Sequence, residues 1–161
     1  MRTLFDLARA LVYGAGFVLL WGWLALVVHR WDRSLLPAWT PGVGLVLLVT
    51  GAALAIACVV GFVFWGEGTP APFDAPRRFV ARGPYRYVRN PMYIGGAAVL
   101  AGYALLQRSP AILGLAVVML LCAHLFVLLY EEPTLARRFG DDYRAYQRDV
   151  RRWLPRFGRP R

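Results

Sequence analysis

Two short clusters hold most of the side chains in this 161-residue chain that can do chemistry. The first is GPYRYVRNPMYIGG at 83–96, which ends a run of arginines and opens an uncharged stretch. Pro91 suits the first position of a helix, where a missing N–H costs nothing, and Asn90 before it is a good N-cap. The free N–H groups and positive dipole end of such a terminus favour an anion, and Arg86 and Arg89 beside it add charge. Tyr85 and Tyr93 offer hydroxyls or aromatic faces. Gly95, with Gly96, removes side chains one turn into the helix, so a flat ligand can lie against the backbone. The plainer alternative is a capped helix with snorkelling arginines and a glycine pair for helix packing.

The second cluster is HLFVLLYEEP at 124–133. Glu131 and Glu132 stand where an apolar run ends. Two carboxylates at a helix C-terminus oppose the macrodipole at about 0.3–1 kcal/mol each. The arginines of 77–89, or a ligand carrying positive charge, would offset that. His124 lies seven residues before Glu131, so on an α-helix it shares that face two turns deeper. An ionisable side chain within a membrane is a functional candidate by default, although a neutral histidine hydrogen-bonded across helices is as good a reading. His124 and Glu132 are the candidates for acid–base work. If the two clusters meet, arginines and a helix dipole stand beside two carboxylates over an apolar wall. Such a pocket suits a zwitterionic, aromatic-containing cofactor on its watery side and a lipidic substrate on its membrane side.

The elements that must position these residues are membrane helices. The chain is 58% apolar with a mean hydropathy of +0.46, and its length fits one membrane domain over 1–161. Four stretches with few or no charges, about 10–28, 42–65, 91–107 and 110–130, predict four spans, the third of them marginal in length. The first is too long for a signal-peptide core and reads as a retained helix. All 19 basic residues are arginine. Most fall near the N-terminus, in the 66–90 loop and in the 131–161 segment, so the positive-inside rule puts both termini and that loop in the cytoplasm. The expected location is therefore a bacterial inner membrane. The net charge of +10 flanks the spans, which points to anionic lipid headgroups as partners and away from nucleic acid. Cys58 and Cys122 lie inside spans without metal-ligand spacing, so they read as packing residues and no metal is expected.

Ala53, Ala57 and Gly61 form a small-residue face on the second helix. After Pro133, Phe139, Tyr143, Tyr146 and Val150 recur on one face of a basic helix, which would lie on the membrane surface or pack beneath the bundle. RRWLPRFGRPR reads as an interfacial anchor and frayed tail. The fold class is all-α: four transmembrane helices and a C-terminal amphipathic helix.

GTPAPFDAPRRFVARGPYRYVRNPMYIGG together with YEEPTLARRFGDDYRAYQRDVRRWLP resembles the membrane methyltransferases of the isoprenylcysteine carboxyl methyltransferase and phospholipid N-methyltransferase group, over roughly residues 66–155. The resemblance implies an enzyme that uses S-adenosylmethionine in a cytoplasm-facing pocket built from the last helices and the C-terminal segment. It carries the R-[HN]-P-x-Y-x-G motif onto Arg89, Asn90, Pro91, Tyr93 and Gly95, and the paired acids onto Glu131 and Glu132. Asparagine, where members of the group have histidine, can cap a helix or bond a carboxylate but cannot accept a proton, which makes position 90 a cofactor contact. The expected activity is methyl transfer to a small lipophilic carboxylate, amine or thiol. Such transfer needs alignment and exclusion of water more than acid–base help. The rival reading is a non-catalytic assembly or lipid-binding membrane protein that keeps the fold.

Overall fold

A computed structural model describes residues 2–66 and 79–155. The Pro- and Gly-rich stretch 67–78, with Arg77 and Arg78, and the tail 156–161 lie outside the described residues. The helices are α1 (Arg2–His29), α2 (Thr40–Trp65), α3 (Pro91–Leu106), α4 (Pro110–Phe126) and α5 (Glu132–Asp149). A short 3₁₀ turn, Gly83–Arg86, precedes α3, and a π-turn, Val127–Glu131, joins α4 to α5. Among the described residues there is no strand. Three helices (α1, α2 and the continuous α4–α5 rod) are long and apolar enough to cross a membrane, and α3 is apolar but shorter. This is an all-α membrane protein, and the apolar side chains exposed along α1, α2 and α4 are its lipid-facing surface.

Glycines set the tightest contact, between α2 and α3. A Cβ at Gly102 would stand 2.5 Å from the Leu48 nitrogen and 2.7 Å from the Gly44 oxygen, and one at Gly95 would stand 2.9 Å from the Gly51 oxygen. Backbone touches backbone at these points, so no side chain fits. Gly44, Gly51 and buried Cys58 recur every seven residues, as do Gly95 and Gly102, the repeat of two helices wound slightly left-handed. The expected face at Ala53, Ala57 and Gly61 is not the one used: Ala53 and Ala57 are exposed. A seven-residue glycine seam allows closer approach than an alanine row.

On its other side α3 packs with α1 and α4 around Ala25, Leu100, Ile112 and Met119. Away from the two clusters, the α1–α2 loop is pinned to the α3–α4 turn. Leu36 N–H donates to the Arg108 carbonyl at 2.9 Å, and Arg108 Nε donates back to the Leu36 carbonyl at 2.7 Å. Ser109 caps α4, accepting from Ile112 N–H at 3.1 Å. Its hydroxyl donates to Asp32, which also accepts from Ala111 N–H at 2.8 Å and pairs with His29 at 2.9 Å. The Ser109 bond, with those of Ala111 and His29, holds the Asp32 carboxyl below the usual range.

The helical rod from Pro110 to Asp149 bends where glycine is required: Gly140 has φ 55° and ψ −125°, a backbone region closed to other residues. The bend brings Phe139, Tyr143 and Tyr146 around the Phe79 ring, with centroids 5.5, 5.8 and 5.0 Å away. Of the two placements open to this aromatic face, packing against the bundle is the one adopted.

Candidate functional site

The two clusters meet. Residues 83–90 are drawn against the bundle by Tyr85, which is buried on Cys58 and stands edge-on to Phe62 at 5.1 Å. The Tyr146 hydroxyl donates to the Tyr85 carbonyl at 2.6 Å, so α5 clamps the 3₁₀ turn from outside. Pro91 then opens α3, fully buried at the first helical position.

From this rim Arg89 Nη2 donates to Glu132 Oε1 at 2.7 Å, and the Tyr93 hydroxyl donates to Glu131 Oε2 at 2.9 Å. Both acids therefore face the start of α3, through residues two positions either side of Pro91. They do not sit at a helix end, as the sequence suggests. The π-turn carries α4 straight into α5, so the chain stays helical past both acids and the penalty of a helix C-terminus does not arise. The extra residue of the π-turn also rotates the downstream side chains by about 100°. His124 is consequently out of α-helical register with Glu131, although both side chains turn toward α3. It lines the α3–α4 side and accepts a hydrogen bond from Trp153 Nε1 at 3.0 Å.

The segment after α5 joins this rim, as the resemblance implied of the C-terminal segment, although residue types alone suggested only an interfacial anchor. Arg152 grips Glu132 with both sides of its guanidinium, Nε to Oε1 and Nη2 to Oε2, each at 2.8 Å. Arg89 N–H donates to the Arg151 carbonyl at 2.9 Å, while Arg89 Nη1 reaches the carbonyls of Gln147 and Val150. Asn90 is at the N-cap position, yet its side chain makes no cap bond; Nδ2 donates to the Arg152 carbonyl at 3.2 Å. The nearer demand was an otherwise unpaired carbonyl of the strap, residues 150–155. A signal for this strap existed in the arginine and tryptophan side by side in RRWLP.

Of the other candidates, Arg86 is exposed and Gly95 faces the α2 backbone, so neither touches the acids. Tyr85 is buried in the 3₁₀ turn against Cys58, close enough to Glu131 to feel its charge.

The acids differ in environment. Burial works against charge on Glu132, but the hydrogen bond from Arg152 and the positive charges of Arg89 and Arg152 outweigh it and hold the carboxyl below the usual range. Burial raises Glu131, and the charge of Glu132 adds to this, with the Tyr93 hydrogen bond opposing in part. Such divergence assigns different work to neighbouring carboxylates. Glu132 is a saturated clasp between α5, α3 and the strap. Glu131 has one partner, Tyr93, and its second oxygen has none among the described residues. Nearby, Arg89 Nε is buried without a partner among the described residues.

Residues 39–142 match the phospholipid methyltransferase family. The chain is 30% identical over 144 residues to a phosphatidylethanolamine N-methyltransferase of Laccaria bicolor, an alignment covering 89% of this chain and 16% of that protein. It is 27% identical over 144 residues to the enzyme of the same name from Talaromyces marneffei, covering 81% of this chain and 14% of that one. An uncharacterized protein of Haemophilus influenzae is 39% identical over 64 residues, 39% of this chain and the whole of that protein. The chain thus spans about a sixth of the length of the fungal relatives it matches. No solved structure matches it. With the matched segment running from the start of α2 into α5 and taking in both halves of the rim, the chain belongs to the phospholipid methyltransferase family.

Proposed function

We propose that this protein transfers a methyl group from S-adenosylmethionine to the amine of a membrane lipid, at the cytoplasmic face. The observation that carries the reading is the convergence of the α3 entrance with Glu131 and Glu132 on one rim, in a chain of this family. The names of the fungal relatives favour an amine over the carboxylate and thiol acceptors that the sequence left open. The arginines clustered at the rim favour the cytoplasmic side of a bacterial inner membrane.

The residues present fit the cofactor. A zwitterionic amino-acid end needs a donor for its carboxylate and an acceptor for its ammonium. Arg89 Nε, buried without a partner among the described residues, offers the donor, and the rim carboxylates supply the negative charge that an ammonium needs. When bound, the sulfonium supplies an already activated methyl. The protein's share is placement, dryness and one proton. A protonated amine cannot attack, so it must lose a proton first, and a carboxylate whose burial raises its pKa is a suitable acceptor. Glu131 does this, with Tyr93 holding one oxygen and leaving the other for the proton. Glu132 acts through the clasp, fixing Arg89 and closing the strap over the rim.

Purified protein in phosphatidylethanolamine vesicles with methyl-labelled S-adenosylmethionine tests the reading. Label is expected in the lipid fraction, and Glu131→Gln lowers kcat by about 100-fold or more, the scale of a lost general base. Folded protein that neither labels lipid nor binds the cofactor saturably would instead support a non-catalytic lipid-binding role. A reporter fused after Arg161 is expected in the cytoplasm, and a periplasmic signal would overturn the orientation.

A further inference from the structure

The α3–α4 face carries a groove of about 580 Å³, lined by Ile94, Ala98 and Ala101 of α3, Leu121 and His124 of α4, and Trp153 of the strap. Small-molecule sites run from roughly 300 to 1,000 Å³, so this one can take a ligand. Alanines line the α3 side and bulkier side chains the α4 side, a shape suited to one extended hydrocarbon chain. The wall is apolar apart from His124 and Trp153.

Those two polar groups are not equivalent. The Trp153 indole N–H is already given to His124 Nδ1 at 3.0 Å. Because Nδ1 accepts, the proton of the neutral ring is on Nε2. His124 therefore has no free lone pair with which to take a proton, and what it offers is an N–H donor. Nε2–H receives no hydrogen-bond acceptor from the described residues and is not one of the buried orphaned groups, so it is open to the groove, where an acceptor would satisfy it. The groove asks for a hydrocarbon chain with an acceptor oxygen at its head. A helix from a second copy would not answer, because its carbonyls are used within the helix.

Resting on the reading of a lipid acceptor, we propose that one acyl chain of the phospholipid substrate lies in this groove and that His124 Nε2–H donates to the ester carbonyl heading that chain. Trp153 is the positioning residue that fixes the tautomer. The order of groups agrees. Glu131 is seven residues nearer the rim, about 10 Å along the helix, as the lipid's amine lies outward of its esters. Arg152 on Glu132 and Trp153 on His124 are consecutive, so one strap spans the head and chain ends of the same lipid.

The test uses the full chain in nanodiscs. Phosphatidylethanolamine with a diazirine on one acyl chain is expected to label residues 94–101 and 117–124, and Ala101→Phe to reduce that labelling several-fold. Labelling spread evenly over α1 and α2, and unmoved by Ala101→Phe, would overturn the groove assignment. In competition binding, which needs no variant, the diester lipid is expected to outcompete its diether analogue by about two- to tenfold, the worth of one hydrogen bond. His124→Phe should erase that preference and His124→Gln, which keeps an N–H, should retain it. Equal binding of the two lipids by the unaltered protein would remove His124 from the site. None of these readouts depends on turnover, so an inactive protein would defeat the proposed activity and leave this assignment standing.

Discussion

Glu132→Gln should release the strap while leaving the membrane helices folded. The carboxylate receives Arg89 Nη2 at 2.7 Å and two bonds from Arg152 at 2.8 Å, with Arg89 10% and Arg152 27% exposed. An amide of the same shape keeps one acceptor oxygen and turns its NH₂ toward at least one guanidinium. Stranding a fully buried partner costs about 3–5 kcal/mol. Arg89 retains the carbonyls of Gln147 and Val150, and Arg152 is partly screened by water, so the expected loss is lower, about 2–3 kcal/mol. This corresponds to about a 30- to 150-fold drop in protection against local opening. Hydrogen–deuterium exchange in nanodiscs reads it at the Arg89 amide, which donates to the Arg151 carbonyl, and over residues 147–155. Arg144→Gln is the control. Its pair with Asp141 is 64% and 96% exposed, so protection should not change. If Glu132→Gln leaves strap exchange within about twofold of the parent protein, the clasp contributes nothing and its assigned role fails.

The same clasp has a pH signature. Glu132 is held below the ordinary carboxylate pKa, so its contribution is complete above about pH 4.5 and lost as pH falls through the folded-state value. Strap protection should stay flat from pH 7 to about 5 and then fall. Glu131, shifted upward, has the opposite sign and relaxes as acid neutralises it; infrared spectroscopy should find its carboxyl band, absent in Glu131→Gln, protonating above the ordinary range. Gly102→Ala forces a Cβ onto immovable backbone of α2 and should cost about 1–3 kcal/mol in thermal unfolding, whereas Gly96→Ala, whose Cβ would meet nothing nearer than 3.6 Å, should be neutral or slightly stabilising. Ser109→Ala removes the α4 cap and the donor to Asp32, for an expected loss of about 1–2 kcal/mol in the same measurement.

Apolar stretches and proline made the helices legible from residue types alone. Pro91 opens α3 at the expected residue, and the arginine-rich and acidic clusters meet because a short hairpin leaves them little alternative. What stayed hidden falls into two kinds. The π-turn has no local signature: a run of Val, Leu and Tyr propagates α and π geometry alike, so reading 124 and 131 at α spacing missed the change of register between them. Partner choice was the second. Asn90, Glu132 and Trp153 each satisfy a group many residues away, and no propensity reports a bond across that distance. Gly95 shows both faults. Its type promised backbone exposure, but only α2, forty-odd residues upstream, determined what the exposed backbone would touch.

The brevity of α3 also sets a level. Its 16 residues rise about 24 Å, less than the roughly 30 Å of a hydrocarbon layer, and its glycine seam fixes it to the 26-residue α2. If the Arg108 turn stands at one boundary of that layer, the opposite end and the carboxylates beside it fall about 6 Å short of the other. On the proposed reading, an amine that already belongs to the bilayer would arrive at them by sideways diffusion, while a water-soluble amine would have to be pushed down into the layer.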